Sequence, residues 1–466
     1  MTGIKSLKAA LVLLLAGSGA AAMAQNGASV TMEEAIAVAM SANPNIAQAQ
    51  YNKEAIQFER KQAQGLYAPR VDLEASAGIR QLRNPTRRSL GIADDELYPL
   101  EASARAEWVA IDFGRRRGEL LRQAARVDGA SLRVLERSEF IALQVARQYL
   151  DVLLQQRVVA ASTDNSAFHQ VLVGDLASGV QQGSISIADQ QQAEERLQAA
   201  LVRQTEAEQA LTEAQNALQR LTGLNIDQVQ MPDPLAPQLP TSLDEAVGLA
   251  RSANPRVLEA RADVDAAHAL AMSAKGDLYP EIGVDLTARY GEDIDGFRGE
   301  TTDLQGRVFM RWNIFDGGIN RNKYQEMVRR ASEARYALHE VERQSEEDVR
   351  NAWSRLDTQR RVTEQLSRQS GVTDDLLLSY RSQFNVGRRS LLDVLDAQNT
   401  RYNVQVRLET ARFSEMFARY QTLAATNRFL DALNIAPGAG AGAAERDRFD
   451  YGPSEPAELQ YRRDSE

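Results

Sequence analysis

Apolar and polar residues alternate one by one in four stretches of this chain and recur at helical spacing almost everywhere else. From Pro69, the residues Val71, Leu73, Ala75, Ala77 and Ile79 alternate with Arg70, Asp72, Glu74, Ser76, Gly78 and Arg80. Ala102, Ala104, Ala106, Trp108 and Ala110 then alternate with Glu101, Ser103, Arg105 and Glu107. Ile282, Val284, Leu286, Ala288 and Tyr290 oppose Glu281, Gly283, Asp285, Thr287 and Arg289, and Leu304, Val308, Met310, Trp312 and Ile314 oppose Asp303, Gln305, Arg307, Arg311 and Asn313. A period of two predicts strands over about 69–80, 101–113, 281–290 and 302–316, each with one apolar and one charged face. Their length, roughly ten residues, suits strands that cross a membrane, and a face charged along its whole length suits a water-filled lumen. Tyr67, Trp108 and Phe113, then Tyr279, Trp312 and Phe315, gather near the same strand ends, as an interfacial girdle would.

The helical stretches come in pairs. Thr31 with Glu34 forms a capping box ahead of a short helix, and Asn43-Pro44 breaks that helix and opens the next. Ser242-Leu243-Asp244-Glu245 and Ser252-Ala253-Asn254-Pro255 repeat the arrangement. From Gly114 to about Val173, and again from Gly318 to about Phe384, Pro-free sequence rich in Leu, Ala, Arg, Glu and Gln predicts helices of about 90 Å at 1.5 Å per residue. Helices follow over 187–221 and 391–433, where Leu391, Leu395, Tyr402 and Val406 give a narrow coiled-coil stripe.

Each long helix ends in the same corner. Phe384-Asn-Val-Gly-Arg-Arg-Ser-Leu-Leu-Asp-Val-Leu-Asp396 has a weaker copy from Val180 to Gln192, in which Gly183, Ser186, Ile187 and Asp189 match Gly387, Ser390, Leu391 and Asp393. The two glycines lie 204 positions apart, too far for a solenoid repeat and right for a duplicated half. Residues 25–222 and 242–435 are therefore two repeats, joined by a proline-rich linker over 223–241. A Gly- and Ala-rich run with a charged end, 436–466, reads as a disordered tail.

Lys5 and Lys8 precede an apolar run that ends in Ala22-Met23-Ala24, which predicts a secretory signal peptide over 1–24. No later stretch has the run of about 18 apolar residues that a membrane helix needs. The chain holds no cysteine, which excludes disulfides, thiolate catalysis, zinc–thiolate sites and a lipoprotein anchor. Its net charge of −10 disfavours nucleic acid as a partner. His169, His268 and His339 show no ligand spacing, and neither a phosphate loop nor a nucleophile elbow is present. No enzyme, cofactor or metal site is expected. Four strands cannot close a barrel, since single-chain barrels start at eight, and an open edge in lipid costs several kcal/mol per unpaired group. The chain must oligomerise, in a copy number that the pattern leaves open. Two hairpins on a soluble core are the simpler alternative for the strands.

These features resemble the TolC family of outer-membrane efflux and secretion channels. The likeness runs from Thr31 to about Asn434 and is sharpest at the 384–398 corner and at Trp312-Asn-Ile-Phe-Asp-Gly-Gly318. The resemblance implies an α+β membrane fold in which a homotrimer builds a twelve-strand β-barrel, four strands per chain, continued by a long coiled-coil helical barrel in the periplasm. It also implies that the corners close the inner end. Two acidic residues matching Asp393 and Asp396 ring the periplasmic aperture, and a basic residue matching Arg389 latches onto the first corner at Ala188 and Asp189. Where the family usually has a tyrosine that bonds the residue matching Asp189, this chain has Phe384, which has no hydroxyl to donate. The latch must rest on Arg389 or on other contacts. Capping accounts equally well for Asp189 and for Asp393, each three residues after a serine, but not for Asp396. The implied partners are a periplasmic adaptor (membrane fusion) protein and an inner-membrane transporter of ABC or RND type. The wording of the motifs leans toward type I protein secretion. Multidrug efflux is the alternative within transport, and a structural periplasmic coiled-coil tether the alternative outside it.

Overall fold

The computed structural model describes residues 29–226 and 228–451. The expected signal peptide and the last part of the expected tail, 452–466, lie outside the described residues. The chain forms two compact units. Of the described residues, one unit comprises 29–47, Arg137–Ala250 and Glu347–Gly438; the other comprises Gln48–Glu136, Arg251–Glu346 and 439–451.

The elements run α1 (Met32–Ala42), α2 (Pro44–Gly65), β1 (Arg70–Ala77), β2 (Arg80–Gln81), α3 (Pro85–Ser89), β3 (Glu96–Leu97), β4 (Leu100–Ile111), α4 (Arg115–Gln181) and α5 (Ile187–Thr222). The second repeat runs α6 (Leu243–Ala253), α7 (Pro255–Gly276), β5 (Glu281–Glu292), β6 (Glu300–Arg311), α8 (Ile319–Asn385), α9 (Leu391–Ala425) and α10 (Phe429–Ala432). The repeats match in length: 11 residues for α1 and α6, 22 for α2 and α7, and 67 for α4 and α8.

In the second unit the sheet is antiparallel in the order β1-β4-β5-β6. Its limits differ from the alternation pattern, and proline explains why. The β1 ladder stops at Ala77↔Leu100 because Pro99 has no N–H to continue it. Arg80–Gln81 turns away to pair with Glu96–Leu97 instead. Pro69 and Pro280 stand just before β1 and β5, so β6 ends opposite Glu281 at Arg311, five residues short of the alternation's end at 316. The neighbouring tryptophans tie the strands to the chain ahead of them, with Trp108 Nε1 donating to Tyr67 O at 3.0 Å and Trp312 Nε1 to Leu278 O at 3.2 Å.

Each long helix begins on an aspartate. Asp112 accepts the backbone N–H groups of Gly114 and Arg116, and Asp316 those of Gly318 and Asn320. These bonds satisfy donors that a helix start leaves open, and they hold the Asp316 carboxyl below its ordinary pKa. Gly317 turns with φ +72° where the first repeat places Phe113 at φ +50°, stacked on Tyr279 with ring centroids 5.4 Å apart. Further along, α4 touches α7 at Gly118, where a Cβ would stand 2.4 Å from Ser273 N and 2.8 Å from Ala269 O.

The expected disorder of the tail does not hold over 436–451. Asp128, whose side chain is 2% exposed, accepts the backbone N–H groups of Glu445 and Arg446 and the Arg446 Nε at 2.8–3.0 Å. Arg446 also reaches Asp265 at 2.8 Å, Glu445 pairs with Arg60, and Tyr451 OH donates to Leu121 O. The compositional reading missed this because the anchor, Asp128, is buried in a helix more than 300 positions away.

The first unit is built on an apolar core in which Met32, Ile36, Tyr149, Leu218, Tyr420 and Phe429 are fully buried. Thr31 and Glu34 form the expected capping box at α1. The proline-rich linker is tied down: Tyr149 OH accepts Gln230 N–H at 2.8 Å and lies 2.7 Å from Val30 O, and Tyr420 OH donates to Asp233 O. No helix among the described residues is long and apolar enough to cross a membrane.

Candidate functional site

The two corners, both in the first unit, are built alike. α4 and α8 run eight and one residues past the lengths that the sequence suggested, and each ends at a glycine in the left-handed region, Gly183 at φ +73° and Gly387 at φ +71°. Gly183 N–H bonds Val180 O and Ser184 N–H bonds Gly179 O; Gly387 and Arg388 repeat this with Phe384 O and Gln383 O. This is a Schellman stop, which favours glycine because a side chain is strained at that φ. Ser186 and Ser390 then cap α5 and α9.

The capping aspartates are Asp189 and Asp393. Ser186 Oγ lies 2.7 Å from Asp189 Oδ2, and Ser390 Oγ lies 2.8 Å from Asp393 Oδ2. At the second corner the box is complete, since the Ser390 N–H also reaches Asp393. The Ser390 hydroxyl, and after it Arg389, lower the Asp393 pKa below the ordinary carboxylate value. Asp396 lies on the same helix one turn on and is exposed, with no ion pair among the described residues.

Among the described residues no hydrogen bond or ion pair joins Arg389 to Ala188 or Asp189. Its guanidinium turns back on its own repeat, 3.6 Å from Asp393, bonded to Gln383 Oε1 at 3.1 Å and 4.2 Å from the centre of the Tyr380 ring. Tyr380, one turn ahead of Phe384, was not singled out in the sequence; a second aromatic at four-residue spacing beside a basic residue was its only signal. Phe384 packs against two apolar clusters, one that holds Leu391 and Leu395 and one that holds Val394 and Ala397. Apolar packing thus holds the ring where a phenol would need a partner.

The other candidate surface is the sheet in the second unit. Leu73, Leu286, Leu304 and Val308 stand exposed on its apolar face. On the polar face Asp285 receives Arg105 Nε at 2.7 Å and Arg307 at 2.5 Å. Among the described residues β1 and β6 each have a single partner strand, so both outer edges of the sheet are open. Among the described residues no group of His, Asp and Glu side chains is arranged to hold a metal ion.

The chain is similar to known proteins along most of its length. A family model described as "Outer membrane efflux protein" matches residues 35–224 and 246–433. The outer membrane efflux protein BepC of Brucella suis is 26% identical over 292 residues, 61% of this chain and 62% of its own length. The outer membrane protein TolC of Vibrio cholerae is 22% identical over 369 residues, 76% of this chain and 80% of its own. The matched part thus spans less than two thirds of BepC. The crystal structure of the CmeC outer membrane channel of Campylobacter jejuni superposes with a TM-score of 0.76 at 14% identity, covering 93% of this chain and 89% of that one.

Proposed function

From the premise that this chain belongs to the outer membrane efflux protein family, we propose that it is the outer-membrane conduit of a type I protein secretion system. It is an outer-membrane protein and not an enzyme. A single observation carries the proposal of a conduit. A four-stranded sheet with one apolar face, one charged face and two open edges cannot stand alone in lipid, where each unpaired backbone group costs several kcal/mol. Three copies closing edge to edge give twelve strands around a polar lumen, above the minimum of eight. The duplicated 67-residue helices then supply a periplasmic tunnel.

In this reading three pairs of Asp393 and Asp396 ring the inner aperture. They favour cations and repel one another unless hydrated or bound. Arg389, held by Tyr380 and Asp393 within its own protomer, reaches Ala188 and Asp189 only across a protomer boundary. Energy comes from an inner-membrane ABC transporter through a periplasmic adaptor that meets the corners. Multidrug efflux with an RND-type transporter is the second reading, favoured by the likeness to BepC, an outer membrane efflux protein.

A deletion strain tests these readings together. Loss of one or a few large proteins from the medium, with dye accumulation unchanged, supports type I secretion. Dye build-up with an intact set of secreted proteins moves the assignment to efflux. No change in either, with no heat-modifiable trimer in outer-membrane fractions, leaves the periplasmic tether.

A further inference from the structure

The charged face of the sheet carries an arrangement that a merely water-compatible wall does not need. Four arginines and three carboxylates form one chain of ion pairs across β4, β5, β6 and the start of α4. Arg115 pairs with Glu281 at 2.5 Å, Glu281 with Arg311 at 3.2 Å, and Arg311 with Glu107 at 3.4 Å. Glu107 continues to Arg105 at 3.1 Å, and Arg105 and Arg307 both hold Asp285. From Glu281 to Asp285 the chain spans four residues of strand, about 13 Å at 3.3 Å per residue.

Within this chain of ion pairs the two signs are not presented equally, and the exposed Arg70–Asp72 pair beside it on β1 adds no net charge. The four arginine side chains are 43–63% exposed, whereas Glu107, Glu281 and Asp285 are 29%, 17% and 1% exposed. The carboxylates lie beneath and the guanidinium groups lie on top, each with donors left over after its ion pairs. The chain carries one positive charge in excess, and solution meets that excess as a layer of planar bidentate donors suited to carboxylate and phosphate oxygens. Farther along the strands, away from the helices, the balance reverses. Arg289 there is shared between Glu101 and Asp295, while Glu74 and Asp303 carry no ion pair among the described residues.

We propose that Arg105, Arg307, Arg311 and Arg115 form an anion-binding station inside the barrel, one that takes multivalent oxyanions. The inference rests on the conduit reading, which turns this face to the lumen. Three copies around one axis would set twelve guanidinium groups in a belt on the helix side of the barrel, with an acidic zone beyond it. An anionic group passing the belt is held there, and a small polyanion plugs the current. The belt is separate in the sequence from Asp393 and Asp396, and its sign is opposite to theirs.

The test is single-channel recording on the purified full-length protein in planar bilayers, with inorganic tripolyphosphate added to each side in turn. Wild-type current should be blocked reversibly at submillimolar tripolyphosphate from the barrel side, and the block should weaken as KCl rises because salt screens exposed charges. Arg307→Gln with Arg311→Gln should raise the half-blocking concentration at least tenfold. Arg307→Lys with Arg311→Lys, which keeps the charge but loses bidentate geometry, should fall between the two. If the double glutamine variant does not assemble, Arg311→Gln alone decides, because Glu107 and Glu281 keep Arg105 and Arg115 as partners. Conducting wild-type channels that ignore tripolyphosphate, or block that is the same in the variants, would overturn the station and leave the conduit standing. Purified trimers that carry no current would remove the conduit reading itself.

Discussion

Gly118→Ala and Gly129→Ala make the same chemical change on the same helix and should act in opposite directions. Alanine is better than glycine in a helix interior by about 1 kcal/mol, so both variants start with a similar local gain. At Gly129 the new methyl meets Ala262 Cβ at 3.8 Å, an ordinary contact, and the gain survives. At Gly118 it meets backbone, Ser273 N at 2.4 Å, Ser273 Cα at 2.7 Å and Ala269 O at 2.8 Å. No rotamer relieves that overlap, so α4 and α7 must part by about 1 Å along their contact. Overpacking of this kind costs about 1–3 kcal/mol or more, and a symmetric assembly incurs the cost in every copy. Net of the local gain the cost reaches about 2 kcal/mol, so the temperature at which the detergent-solubilised trimer dissociates on a gel should drop for Gly118→Ala by up to about 8 °C, at about 2–4 °C per kcal/mol in a domain of this size. Gly129→Ala should match or exceed the wild type. A Gly118→Ala trimer as heat-resistant as the wild type would refute the close approach of the two helices.

Other expectations follow from single groups. Asp393→Asn with Asp396→Asn should raise single-channel conductance and lower cation preference; unchanged values would remove the pair from the aperture. Burial pushes the Glu139 carboxyl up to about 8, and its Oε1 accepts the Leu430 N–H beside Asp431. The folded chain therefore binds this proton more tightly than the unfolded one, and its stability falls as pH rises from about 4.5 to about 8. Glu139→Gln should raise the melting temperature at pH 8.5 and leave it nearly unchanged at pH 4.5. Equal shifts at both values would contradict the assignment. Arg446→Ala leaves the buried Asp128 carboxylate without its ion-pair partner, and breaking such a pair costs about 3 kcal/mol. Trimers of this variant should dissociate at lower temperature, and a stability equal to wild type would return the 445–451 segment to the role of a loose tail.

Features with a local cause could be read in the chain. The Schellman glycines, the serine caps and the Ser-Ala-Asn-Pro breaks each depend on a few adjacent residues, so both corners and both pairs of leading helices were legible. The strands were legible by alternation but not by their ends. These are set by Pro99 and Pro280, which act on the partner strand rather than on their own. What remained hidden depends on residues brought together from far apart. Asp128 looks like any helical aspartate until Arg446 meets it, and Arg389 looks free for the first corner until Tyr380 takes one face of its guanidinium. The arginine belt was hidden for the same reason. Alternation puts Arg105, Glu107, Asp285 and Arg307 on one face, but only the fold decides that the acids lie beneath and the bases on top.

The claim on which everything else rests is that the open edges of β1 and β6 close against neighbouring copies. The chain has no cysteine, so one cysteine in β1, at Glu74, can be paired with one in β6, at 303, 305, 307 or 309 in turn, with no background. Cells producing each pair would be oxidised and their outer membranes run on denaturing gels. The account predicts that at least one register gives a covalent ladder ending at three protomers. Cross-links confined to single chains, or none at any register, would mean that the sheet folds on itself and that no barrel forms.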